Sequence, residues 1–142
     1  KGAYKQLNKT LEDTVSTRRA QAFEYQGIVA SRLDKMDVAI SSYNRALALN
    51  PLLGNSFLGL ANIYFERQEL STAYRYYNGF VELVRAQHGR HNATTLWLGI
   101  QLAKVAQDKN ALSSMTLQLK NQFPQSVEYQ TYLRWQAEQD AA

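Results

Sequence analysis

Apolar side chains recur at helical spacing along most of the chain, which predicts an almost entirely helical protein. Tyr4, Leu7 and Leu11 share one face of a predicted helix over 3–13. Paired helices are predicted at 17–33 and 36–49, at 52–67 and 70–87, and at 92–106 and 109–122. A last helix near 125–138 carries Val127, Tyr132, Leu133 and Trp135 and is expected to cap the array. Pro51, after Asn50, stops one helix and starts the next, because proline fixes its own φ and lacks a backbone N–H. The stretch 86–92 is the one longer loop.

Small and aromatic residues also repeat at long range. Tyr43-Asn44 recurs as Tyr77-Asn78, a shift of 34, and Ala39 recurs as Ala73. After a further 38 positions come Gly99-Ile100, echoing Gly27-Ile28, and Ala111, echoing Ala73. A 34-residue period is that of the tetratricopeptide repeat, a helix–turn–helix unit. The first copy offers Phe23, Gly27, Ala39, Tyr43 and Pro51, and the second Phe57, Leu60, Ala61, Tyr64, Ala73 and Tyr77. The third is degenerate, and Pro124 falls one residue late. Small residues let two helices approach closely, while the aromatics fill the space between neighbouring pairs. One pair cannot bury its apolar face alone, so pairs stack. The expected fold is all-α: a tetratricopeptide superhelix of antiparallel pairs, with about three repeats and flanking helices at both ends. One domain is expected over 1–142, with repeats at about 20–53, 54–87 and 92–124.

Composition fits this picture. Apolar residues make up 45% and charged residues 20%, which argues against disorder. No apolar run approaches the roughly 18 residues of a membrane span. With no cysteine there is no disulfide, zinc thiolate or thiol nucleophile. The net charge is +4, but it is spread out: residues 1–35 carry seven Lys/Arg against four acids, and 91–142 carry four against four. A nucleic-acid footprint is a clustered stripe, and Arg18-Arg19 is only a pair. The chain starts at Lys1 with no signal pattern and reads as a fragment or processed product.

Candidate chemistry is sparse. His88 and His91 sit in the long loop without a carboxylate cluster, so no metal site is expected. Ser41-Ser42 and Ser113-Ser114 have no histidine base nearby in the repeat pattern. Glu12-Asp13, Asp34/Asp37 and Glu66/Glu69 are placed at helix ends and turns, where capping or dipole complementation explains them better than acid–base work. Tyr74, Tyr76 and Tyr77 near Arg75 resemble a base-stacking set, but Tyr77 holds a core place of the repeat. We therefore expect no enzyme activity, no cofactor and no nucleic-acid partner.

The inner faces of the first helix of each pair are more informative. Setting aside core positions leaves Tyr25, Ile28 and Arg32 in the first copy, and Asn62, Phe65 and Glu66 in the second. That mixed surface suits an extended or helical peptide, and it also reads as an ordinary exposed face; the residues alone leave both open. Phe65 follows Tyr64, so a turn of about 100° swings it from the core toward the groove. Co-chaperone repeats that grip a C-terminal carboxylate present Lys and Asn at set places. Here Glu24 and Ile28 hold the matching places, which does not support that activity.

The C-terminal third narrows the choice. Leu96-Trp97-Leu98-Gly99-Ile100 leads to Asp108, Ala111 and then Gln118 to Ser126, followed by Glu128-Tyr129-Gln130. With Ala46 to Pro51 and Leu60 to Tyr64, these segments resemble the type IV pilus biogenesis and stability proteins. That family consists of tetratricopeptide lipoproteins acting as pilotins for the pilus secretin. The resemblance implies a non-enzymatic scaffold that assists localisation and assembly of the secretin at the bacterial outer membrane, on its periplasmic face. It implies a protein partner, the secretin or another pilus component, and membrane contact only through a lipid anchor absent from this chain. It also implies a C-terminal fragment. The alternative is a generic repeat adaptor in another bacterial complex.

Overall fold

The computed structural model describes residues 2–142, with side chains from Lys5 onward. It contains α1 (Gly2–Arg32), α2 (Met36–Leu49), α3 (Gly54–Glu66), α4 (Leu70–Arg85), α5 (Ala93–Ala106), α6 (Lys109–Gln122) and α7 (Val127–Ala141). Among the described residues there is no strand. The hairpins α1–α2, α3–α4 and α5–α6 pack most closely, each stacks on the next, and α7 rests on α5.

Every turn inside a hairpin is built alike. Asp34, Gln68 and Gln107 take φ of 59°, 63° and 57°, the left-handed conformation that terminates a helix. The next amide then reaches back to a helix carbonyl: Lys35 to Ala30 at 2.8 Å, Glu69 to Tyr64 at 2.9 Å and Asp108 to Ala103 at 3.0 Å. These residues stand 34 and then 39 positions apart. The turn of the third unit is thus offset by 39, against the 38 that separates Gly99 from Ala61 in its first helix. That offset brings Pro124 into the register of Pro51.

Small residues lie where two hairpins meet. Ala39, Ala46, Ala61 and Ala73 are fully buried. The ring of Tyr43 lies between Gly27 of α1 and Gly59 of α3. Tyr77 abuts Gly99 of α5, and Phe57 abuts Gly79. The core falls into two clusters, one around Ala39, Tyr43, Leu60 and Ile63, the other around Tyr77, Leu96, Ile100, Leu102 and Leu119.

Three expectations are corrected. The helices expected at 3–13 and 17–33 are one 31-residue helix, so Glu12-Asp13 lies mid-helix rather than at an end. No glycine or proline interrupts residues 13–17, and Thr10, Thr14 and Thr17 turn their hydroxyls onto carbonyls four residues back. Leu7 and Leu11 on it are exposed, while the side chain of Tyr4 lies outside the described residues. The N-caps with side-chain bonds are Asn92, Asp108 and Ser126, whereas Lys35 and Glu69 make none. In α7, Tyr132 and Trp135 pack inward but Val127 and Leu133 are exposed.

Candidate functional site

The first helices α1 and α3 carry the residues expected to meet a partner. The structure scatters them. Tyr25 is 68% exposed, Arg32, Asn62 and Glu66 are exposed, and Ile28 is half-buried against the first core cluster. Of these six, Phe65 lines a well-formed groove among the described residues. It is half-buried, with one side against the second core cluster and the other open to a groove of about 350 Å³.

That groove is lined by Phe65 of α3, Gln68 of the turn after it, Leu70 of α4, Gln101, Lys104 and Val105 of α5, and Trp135 and Gln139 of α7. The Lys104 ammonium lies 5.9 Å from the centre of the Trp135 ring, within cation–π range. Trp135 meets Trp97 edge-on at 6.0 Å, and Trp97 meets Tyr132 edge-on at 6.4 Å. The Thr94 hydroxyl donates to Glu128 at 2.8 Å, a second tie between α5 and α7. The groove can therefore accept an apolar side chain against aromatic walls beside amide groups and one cation. Lys104, Val105 and Trp135 were not read as site residues because α5 and α7 meet only in the fold. Trp135 was within reach of the sequence only as one of the apolar residues expected to make α7 a cap.

A larger cavity of about 500 Å³ opens between α4 and α6. Its polar walls are tied within the chain. The Tyr74 hydroxyl donates to Asp108 at 2.8 Å, and the buried Tyr77 hydroxyl donates to the Thr95 carbonyl at 2.8 Å. Burial pushes both phenols upward, and Asp108 adds to the effect at Tyr74. The Asp108 carboxyl is held below its ordinary value, first by Tyr74 and then by the Ala111 amide. His91, half-buried against Phe80 and Tyr77, is depressed by burial. His88 is exposed, and no group of three potential metal ligands occurs among the described residues. Glu24 is engaged within the fold, accepting from Ser56 of α3 at 2.8 Å. No described helix is long and apolar enough to cross a membrane.

The helical-pair fold has counterparts among known proteins. The type IV pilus assembly protein PilF of Pseudomonas aeruginosa is 36% identical over 130 residues, which are 92% of this chain and 50% of PilF. The chain is homologous to PilF. The solved structure of Pseudomonas aeruginosa PilF superposes with a TM-score of 0.73 at 36% identity, covering 96% of this chain and 58% of PilF's. PilW, a widely conserved type IV pilus biogenesis factor, superposes with a TM-score of 0.66 at 27% identity, covering 80% of this chain and 50% of PilW's. No family model matches the chain. The fold is thus the tetratricopeptide type of PilF and PilW, and the chain spans about half the length of PilF.

Proposed function

We propose that this protein is a non-enzymatic scaffold of type IV pilus biogenesis that assists outer-membrane localisation and assembly of the pilus secretin. The observation carrying this reading is the identity to PilF, 36% across 92% of the chain, joined to the same helical-pair fold. A lipid-anchored protein at the periplasmic face of the outer membrane fits the reading. The partner is a protein segment, taken up by the first-helix face that carries Tyr25, Ile28, Arg32, Asn62, Phe65 and Glu66. Phe65 is the centre of that face because it opens onto a groove that Trp135 and Lys104 also line.

Deleting the gene tests the reading. Secretin multimers should fall and pili should be lost, and the purified protein should retain secretin in a pull-down. Normal multimers in the deletion strain would sink the mechanism. In that case the generic adaptor reading is preferred.

A further inference from the structure

Tyr76 of α4 closes the gap between α2 and α4. Its hydroxyl donates to the Asn44 side chain of α2 at 3.4 Å, and its ring stacks on Tyr64 with the ring centres 5.7 Å apart. Ile40 and Leu47 of α2 pack against the same core cluster as Tyr76. The next gap along, between α4 and α6, is the open cavity of about 500 Å³.

The internal repeat explains why one gap is filled and the other is not. Ile40, Tyr43, Asn44 and Leu47, shifted by 34, become Tyr74, Tyr77, Asn78 and Val81, and all four line the cavity. In the second helices the third unit follows at 38, as Ala111 follows Ala73. Tyr76 then corresponds to Ser114, which also lines the cavity. A ring with a hydroxyl at its tip is thus replaced by a side chain too short to cross the gap. Ser114 is met only by Gln118, one turn on in the same helix, at 3.3 Å. Asn78 stands where Asn44 receives a tyrosine, with no tyrosine to receive. The hydroxyls of Tyr74 and Tyr77 are already committed to Asp108 and to the Thr95 carbonyl.

We propose that this cavity receives a tyrosine side chain of a partner protein, in the place that Tyr76 holds between α2 and α4. The ring lies against Val81 and Met115, and its hydroxyl donates to Asn78. Tyrosine suits such a pocket because a buried ring supplies contact area while its hydroxyl finds a partner. A ring alone leaves most of the volume empty, and the side-chain amides of Asn110 and Gln118 on the lining suit the backbone that carries it. The cavity shares no lining residue with the Phe65 groove, so it is a second contact surface.

NMR titration of the full chain tests this with N-acetyl-tyrosine methylamide and its phenylalanine analogue. The tyrosine probe should move the resonances of Val81, Ser114 and Met115. It should bind about three- to tenfold more tightly than the phenylalanine probe, the effect of one added hydrogen bond. Asn78→Ala should abolish that difference by weakening the tyrosine probe alone. Ser114→Tyr fills the cavity from within and should remove binding of both probes; should that variant not fold, Asn78→Ala decides by itself. Equal affinities of the two probes, a preference that survives Asn78→Ala, or no shifts at the three named residues would overturn the proposal. Tighter binding of p-cresol than of the tyrosine probe would overturn it as well, by assigning the cavity to a free phenol.

Discussion

The hydroxyl end of the Tyr43 ring abuts Gly59, so that a Cβ at Gly59 would stand 2.6 Å from Cε2 and 2.7 Å from the hydroxyl oxygen. Tyr43 is itself trapped, because Gly27 lies on its other side. Gly59→Ala therefore forces the α2–α3 contact apart and should cost about 1–3 kcal/mol in urea unfolding. Ala39→Leu and Ala73→Leu, both at fully buried positions, should cost a similar amount. The damage from Ala73→Leu should be local in hydrogen exchange, because each repeat touches only its neighbours. Gly89→Ala is the control: the nearest atom is 3.7 Å away, and its midpoint should not fall. Unfolding midpoints equal to wild type for Gly59→Ala, Ala39→Leu and Ala73→Leu would refute the packing account.

Much of this packing was legible in the sequence because small and aromatic residues must recur where hairpins stack. Ala39, Ala73, Tyr43 and Tyr77 announce themselves at a shift of 34. The third unit's offset was harder to read, because Gly99 and Ala111 mark small positions and not the turn itself. The turn residues Asp34, Gln68 and Gln107 carry no glycine, so the left-handed geometry left no signature. The continuous α1 was missed because a shift in partner, not in composition, separates its two halves. Among the groove residues only Phe65 was within reach of periodicity. Lys104 and Trp135 reach it from helices far along the chain, and no spacing rule joins them.

The left-handed turns invite a stabilising change. A side chain with positive φ is held in a conformation that glycine adopts without a Cβ clash. Gln68 has φ of 63°, and the turn's hydrogen bonds come from backbone groups, not from its side chain. Gln68→Gly should raise stability by about 0.5–1 kcal/mol, read as a higher urea midpoint. A loss of stability would show that the glutamine side chain contributes something its geometry does not reveal.

The Tyr74–Asp108 bond links α4 to the turn before α6 and predicts a pH effect. The Asp108 carboxyl has a folded pKa below its unfolded value, chiefly through the Tyr74 hydroxyl. Its contribution to stability is present above the unfolded value, near 4, and is lost as pH falls through the folded one. Tyr74→Phe removes the donor, so Asp108 should titrate at higher pH in a carbon-detected NMR titration. Acid unfolding should begin correspondingly earlier. An unmoved Asp108 titration would show that the Ala111 amide alone sets its value.

Phe65 is the sharpest test of the groove. It is half-buried, so truncation removes both a wall of the groove and part of the packing between α3 and α5. The two effects separate by measurement. Aromatic side chains at interfaces carry a disproportionate share of binding energy, so Phe65→Ala should weaken capture of purified secretin by about 5- to 150-fold, or about 1–3 kcal/mol. Trp135→Ala removes a second aromatic lining residue of the groove and should act in the same direction. Glu66→Ala, exposed beside Phe65 and outside the groove, should change binding less than twofold if the groove and not the wider face makes the contact. Each variant needs a urea melt alongside, because only a folded protein speaks to binding. A folded Phe65→Ala protein that captures secretin at wild-type affinity would remove Phe65 from the contact and leave it a packing residue.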